Sequence, residues 1–370
     1  MRLFLCGDVM LGRGIDHILP DPCPAELHEA YADSALVYVQ LAERANGPIR
    51  RPVDLRYVWG DALAELERRK PDARIVNLET AITRSDDWQS KGINYRISPQ
   101  NARTLKTAGI DCCVLANNHV LDWGRAGLND TLATLDSLAI KYAGAGNTAA
   151  RAAAPALLDF GAMGRLLVYS FATGSSGVPT EWAAKANAPG VNLLPDLSDA
   201  TADRIVDQIA RTAEAHNIVV ASIHWGSNWG YEITSDQRRF AHRLIDGGVS
   251  VVHGHSSHHP RAIEIHRQRL ILYGCGDFLN DYEGISGKEE YRGDLCLMYL
   301  PELDALNGRL VSLQMVPLQM RRFRLQRASA ADTAWLARTL DRESRKFGTS
   351  IVSAADGALM SVDTRPSGQR

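Results

Sequence analysis

Short apolar, β-rich runs alternate along the chain with stretches whose apolar residues recur at helical spacing. Arg2–Cys6 (RLFLC), Arg74–Leu78 (RIVNL), Asp111–Leu115 (DCCVL), Ile218–Ile223 (IVVASI) and Ser250–His253 (SVVH) have the character of strands covered on both faces. Gly124–Leu138 sets Leu128, Leu132, Leu135 and Leu138 on one helical stripe. Further helices are predicted over Leu197–Ala215 with Ser198 as N-cap, and over Gln237–Ile245, stopped by Gly247-Gly248. Another is predicted over Ser329–Phe347, with Ser329 as N-cap. Two hairpins are expected, Ala156–Phe160 with Arg165–Phe171 and Ala262–His266 with Arg269–Tyr273. The pattern is that of a layered α/β domain with some antiparallel strands, spanning residues 1–325. Residues 326–370 are expected to add a C-terminal helix and, from Asp363, a mobile tail. Pro20–Pro52, Thr83–Ser98 and Thr173–Pro195, rich in Pro, Gly, Asn or charge, are expected as surface insertions.

Composition narrows the class. A hydrophobic content of 45% against 23% charged residues belongs to a folded chain, not a disordered one. Lys and Arg total 41 against 43 Asp and Glu, a net charge of −2, which excludes a nucleic-acid-coating or polybasic membrane-surface protein. No apolar stretch approaches the roughly 18 residues that a membrane span needs. Asp8 interrupts the N-terminal apolar run before a signal-peptide core forms. Cys6, Cys23, Cys112, Cys113, Cys275 and Cys296 show no C-x-x-C spacing and read as reduced core residues. A soluble, cytoplasmic protein is expected.

The chemistry concentrates at strand ends. The five runs lead into Gly7-Asp8, Glu79, Asn117-Asn118-His119, His224-Trp225-Gly226 and His253-Gly254-His255-Ser256-Ser257-His258-His259. Ligands of an open α/β sheet bind outside the carboxyl ends of its strands, so these residues are expected to converge. Singly, Asp8 reads as a turn residue, Glu79 as an acid at a helix start and Asn117-Asn118-His119 as a capped turn. Four of the eleven histidines within His253–His259 do not read as core, because each brings ring nitrogens that need partners. Carboxylates, imidazoles and an amide oxygen suit Zn, Mn, Fe or Mg.

Two loops imitate nucleotide sites and fail. Gly7–Arg13 has P-loop spacing, but Arg13 replaces the lysine and Gly14 the Ser/Thr. Gly144-Ala145-Gly146 imitates a dinucleotide loop without the acidic residue expected about twenty positions on.

As a set, GDVMLGR (7–13), NLET (77–80), LANNHVLDWG (115–124), GAG (144–146), IHWGSNWGYE (223–232), LIDGGVSVVHGHSSHHP (244–260), IE (263–264) and YGCGDF (273–278) resemble the CapA family, associated with poly-γ-glutamate capsule synthesis. That family is similar to calcineurin-like metallophosphoesterases. The resemblance implies a four-layer β-sandwich flanked by helices, built around two divalent metal ions. It implies Asp8, Glu79, Asn118, His224, His255 and His258 as metal ligands, Glu79 standing at the bridging position. It implies His119 as the group assisting the leaving oxygen and Asp122 as its orienting partner, with Arg13 neutralising an anionic substrate. Three departures mark this chain. Met10 stands where metallophosphoesterases carry a histidine, the last motif is GH-x-x-H instead of GH-x-H, and Asp277 replaces a common Asn. The function implied is metal-dependent phosphoester hydrolysis on a small anionic or polymeric substrate. The alternatives are γ-glutamyl amide hydrolysis and a non-catalytic, anionic-polymer-binding partner of a polyglutamate ligase.

Overall fold

In the computed structural model, which describes residues 1–214, 217–354 and 356–363, the five apolar runs are strands. They span Leu3–Val9, Ala73–Leu78, Cys112–Val114, Ile218–His224 and Val251–His255. They divide between two sheets. The first three lie parallel with Lys141–Ala143 in a ten-stranded sheet. The last two lie parallel with Arg165–Thr173 and Arg269–Leu272 in a seven-stranded one. Both expected hairpins form, Ala156–Asp159 with Arg165–Thr173 and Ile263–His266 with Arg269–Leu272.

Strand alternation builds the layers. Leu3, Leu5, Ala73, Ile75, Cys112 and Val114 of the first sheet share one core with Val168, Ile218, Val220, Val251 and Leu272 of the second. On its outer face the first sheet packs Phe4, Cys6, Val76 and Leu78 against Val39, Leu66, Leu105 and Leu128 of helices. The outer face of the second packs Val219, Ala221 and Val252 against Ile205, Ile209, Phe240 and Leu244. Two facing sheets between two helical layers are the four-layer sandwich that the resemblance implies. Helix starts follow the expected caps: Ser198 and Ser329 accept from the backbone N–H of Thr201 and Asp332 at the heads of Asp199–Thr212 and Ala330–Ser344. Ala215, at the end of the expected helix, lies outside the described residues.

Three parts of the chain differ from the sequence reading. Pro20–Pro52 contains the Leu36–Asn46 helix, which buries Tyr38, Val39 and Ala42. Leu295–Leu303 and Leu310–Met320, which the pattern did not single out, form a long antiparallel pair beside Leu3–Val9. A hairpin of Thr349–Ser353 and Leu359–Asp363 extends the same sheet; the expected tail beyond Asp363 lies outside the described residues. All six cysteines are free and buried. Among the described residues no helix is long and apolar enough to cross a membrane.

Candidate metal centre

The face shared by the two sheets turns polar at its carboxyl end. The period of two that places Ile218 and Val220 in the inter-sheet core carries Ser222 and His224 to the same side. In the neighbouring strand it carries His253 and His255 after Val251, and in the first sheet Asn77 after Ile75. The Leu3 strand reaches this side only through an irregularity. Phe4 and Cys6 face the helices, and strict alternation would send Asp8 there too. Register against Ala73–Leu78 shifts between Leu5 and Asp8, so Val9 resumes the helical side and Asp8 turns inward. Gly7 permits this, because a Cβ there would lie 1.6 Å from the carbonyl oxygen of Gly276. The Asp8 backbone N–H donates to that oxygen at 3.0 Å, setting Asp8 beside Asp277 in parallel register.

The inward groups meet in a buried cluster. Asp8 accepts from Asn77 Nδ2 at 2.7 Å and from the Ser256 N–H at 3.2 Å, and its Oδ1 lies 3.7 Å from His255 Nδ1. His255 Nδ1 and His224 Nδ1 stand 2.8 Å apart. His224 Nε2 is 2.9 Å from Asn118 Oδ1 and 3.8 Å from Glu79 Oε1. His119 Nε2 is 3.9 Å from that same Glu79 oxygen. Ser222 Oγ lies within hydrogen-bonding distance of both His255 Nε2 (2.8 Å) and His253 Nδ1 (3.0 Å). His253 Nε2–H donates across the sandwich to the Cys6 carbonyl at 2.7 Å, which ties the sheets together.

His119 is held from its far side. Its Nδ1 is 2.6 Å from Asp122 Oδ2, which also accepts from the Tyr95 N–H at 2.7 Å. Lys91, which the sequence did not mark, donates to Asp122 Oδ1 at 2.8 Å and to the Asn118 carbonyl. It lies in Thr83–Ser98, where a lysine among Ser, Asp and Gly carries no local signal of burial. His258 stands apart from the closest donors, its Nδ1 2.9 Å from Asp277 Oδ1 and its Nε2 3.1 Å from Asn228. His259 packs instead among Trp229, Tyr231 and Tyr291. Arg13 is already neutralised: Nε donates to Asp281 at 3.1 Å, Nη1 to Glu29 at 3.1 Å, and the guanidinium covers Tyr38. With two carboxylates on it, Arg13 is not a free cation for a substrate, although it lines a cavity of about 580 Å³ with Trp229, His258 and Tyr282.

The electrostatics suit a cation. Burial, reinforced by Asp277, pushes Asp8 up to about 7. Burial and then Asp8 hold Glu79 well above the carboxylate range. Burial holds His224 and His255 well below the usual imidazole range and His119 down to about 4. Burial also opposes charge on His258, but Asp277 outweighs it and raises that ring. Neutral imidazoles beside buried carboxylates that resist ionisation are a donor set that a divalent ion completes. Asp8, His224 and His255 offer ligand atoms that all lie within 4.8 Å of one another. The donors present therefore fit the metal that the resemblance implies.

A pH dependence follows. In chain stripped by chelation, Asp8 keeps its proton up to about 7, whereas an unfolded Asp releases it near ~3.9. Between these values the folded state binds more protons, so stability of the stripped chain falls as pH rises through that window. Added Mn²⁺ should therefore raise the melting temperature more at about pH 8 than at about pH 5. An equal rise at both would contradict this.

The family model for bacterial capsule synthesis protein PGA_cap matches residues 2–282. A probable polyglutamine synthesis accessory protein of Mycobacterium tuberculosis is 48% identical over 361 residues, covering 97% of this chain and 95% of its own. The PGA biosynthesis protein CapA of Bacillus subtilis is 26% identical, covering 74% of this chain and 62% of its own. The capsule biosynthesis protein CapA of Bacillus anthracis is 24% identical, covering 52% and 45%. With its matched residues taking in every strand end of the candidate centre, the chain belongs to the PGA_cap family of bacterial capsule synthesis proteins, the CapA family that its motifs resemble.

Proposed function

We propose that this protein is a divalent-metal-dependent hydrolase of phosphate esters, working alongside the synthesis of a glutamyl polymer. One observation carries the chemistry: Glu79 Oε1 lies 3.8 Å from His224 Nε2 and 3.9 Å from His119 Nε2, so one carboxylate oxygen stands between a metal-type donor and a ring free to move a proton. Asp8, Glu79, Asn118, His224 and His255 would hold the metal, and His258, clasped by Asp277, would serve a second ion from the cavity side. When bound, such ions lower the pKa of water and polarise an ester oxygen. The protein's own residues supply the rest. Asp122 takes the Nδ1–H of His119, which fixes the tautomer and leaves the Nε2 lone pair facing the centre. Burial keeps that ring neutral at rest, so a proton taken up on Nε2 from solvent is readily given to the leaving oxygen. Lys91 holds Asp122 and the Asn118 carbonyl, so the proton carrier and a metal donor keep one spacing. The relatives' names, for polyglutamine synthesis, PGA biosynthesis and capsule biosynthesis, support the process assigned.

The test is elemental analysis of protein purified without chelator, beside a Mn²⁺-supplemented assay on an aryl phosphate and on a γ-glutamyl anilide. Bound metal with turnover of the phosphate is expected, and His119→Asn should keep the metal while turnover falls about 10²–10⁴-fold. Turnover of the anilide alone would shift the reading to amide hydrolysis. A fully loaded chain that turns over neither would overturn the hydrolase in favour of a polymer-holding, accessory role.

A further inference from the structure

A second group of donors stands on the outer side of the seven-stranded sheet, away from the centre above. His242 and Asp246, four residues apart, share one face of the Ser235–Asp246 helix. Glu264 and His266, two apart, share one face of the Ile263–His266 edge strand. Strand direction sets the group apart, because Ile263–His266 runs antiparallel to its neighbour and carries these residues away from the sheet's carboxyl end.

Two features separate this group from an ordinary ion pair. His242 Nε2 lies 3.0 Å from Glu264 Oε1, yet that buried nitrogen makes no aligned hydrogen bond. A nitrogen and an oxygen this close can share a third partner between them. The His242 and His266 rings stack at 3.8 Å with 5° between planes, so one ring must turn out of the stack before both in-plane lone pairs meet one ion. The outer contacts are also of the kind that orients metal ligands. Tyr273 donates to Glu264 Oε2 at 2.7 Å, leaving Oε1 toward the cluster. His266 Nε2 is 3.0 Å from Asp246 Oδ1, and a proton on that nitrogen leaves Nδ1 as the lone-pair atom. Arg238 also donates to Glu264 Oε1, at 3.4 Å, from a half-exposed position over the Phe347 ring, and an ion bound here would displace it.

We infer that His242, Glu264 and His266 form a binding site for a borderline divalent cation of the Zn²⁺ class, which clamps the helix to the edge strand. Two imidazoles and one carboxylate are typical of that ion. Their ligand atoms lie within 4.8 Å of one another, and a tetrahedral site brings such atoms to about 3.4 Å, a closure of little more than about 1 Å. Glu264 is fully buried, while the two rings are a fifth exposed, which leaves the ion a path in.

The test counts ions on the whole chain. Protein stripped by chelation and re-equilibrated with Zn²⁺ is analysed beside the double variant His242→Ala/His266→Ala, both also in a His224→Ala background. The double variant is expected to hold one Zn²⁺ fewer per chain and to lose part of the Zn²⁺-induced rise in melting temperature. In the His224→Ala background the ion at this site should persist until the double change removes it. Equal Zn²⁺ counts in parent and double variant would overturn the site. Should the double variant fail to fold, His242→Gln and His266→Gln keep the packing. Each should weaken one Zn²⁺ affinity at least tenfold with an unchanged circular dichroism spectrum, and unchanged affinity would equally overturn the proposal.

Discussion

Alanine at His224 is expected to remove metal binding and phosphoester turnover together. This ring joins the two halves of the candidate centre: Nδ1 is 2.8 Å from His255 Nδ1, and Nε2 is 2.9 Å from Asn118 Oδ1. Those partners come from different sheets, so no neighbouring side chain replaces it. Groups that merely orient a ligand contribute about 10–100-fold to metal affinity, and loss of a ligand itself should exceed that. The ring contributes little else, because it sits beyond the apolar part of the inter-sheet core. The variant should therefore fold with an unchanged circular dichroism spectrum while its metal content drops and its turnover falls to background. Full activity would sink the assignment of His224, and with it the centre as drawn.

Gly7→Ala should have the largest effect on stability. Its Cβ would meet the Gly276 carbonyl oxygen at 1.6 Å and the Gly276 carbonyl carbon at 2.7 Å, both backbone atoms that no rotamer change can move aside. The Leu3 strand and the Asp277–Leu279 strand would have to part, breaking the hydrogen bond from Asp8 N to Gly276 O. Overpacking alone costs about 1–3 kcal/mol, and the lost backbone pairing adds to it, so about 3 kcal/mol or more is expected from urea unfolding. Because Asp8 and Asp277 move apart with the strands, metal affinity should fall in the same variant. A parent-like unfolding midpoint would show that the close approach is not required.

Local pattern carried much of this fold. Runs such as IVVASI and SVVH have no helical period, and their strands begin within a residue of the expected places. Serines at 198 and 329 cap helices because an N-cap needs only its own side chain and the next turn's N–H. The Leu295–Met320 pairing and the Thr349–Asp363 hairpin each join neighbours in sequence; what no local pattern carries is their place in the sheet, beside the Leu3 strand and beside Leu310–Met320. Buried Tyr38 and half-buried Lys91 escaped the sequence reading because polar, glycine-bearing segments look alike whether solvent or protein covers them.

By itself, then, the sequence determined the chemistry available and the strand ends on which it stands: two carboxylates, an amide and a dense run of histidines, each just after an apolar run. Only the tertiary structure decided which of these meet. Asp8 faces His255, 247 residues away, because a register shift at Gly7 reverses its side and a second sheet lies opposite. His258 falls to Asp277 and Arg13 to Asp281 and Glu29, outcomes that no spacing encodes. Periodicity is a property of neighbours along the chain, whereas the meeting of two sheets depends on burial summed over the whole of it.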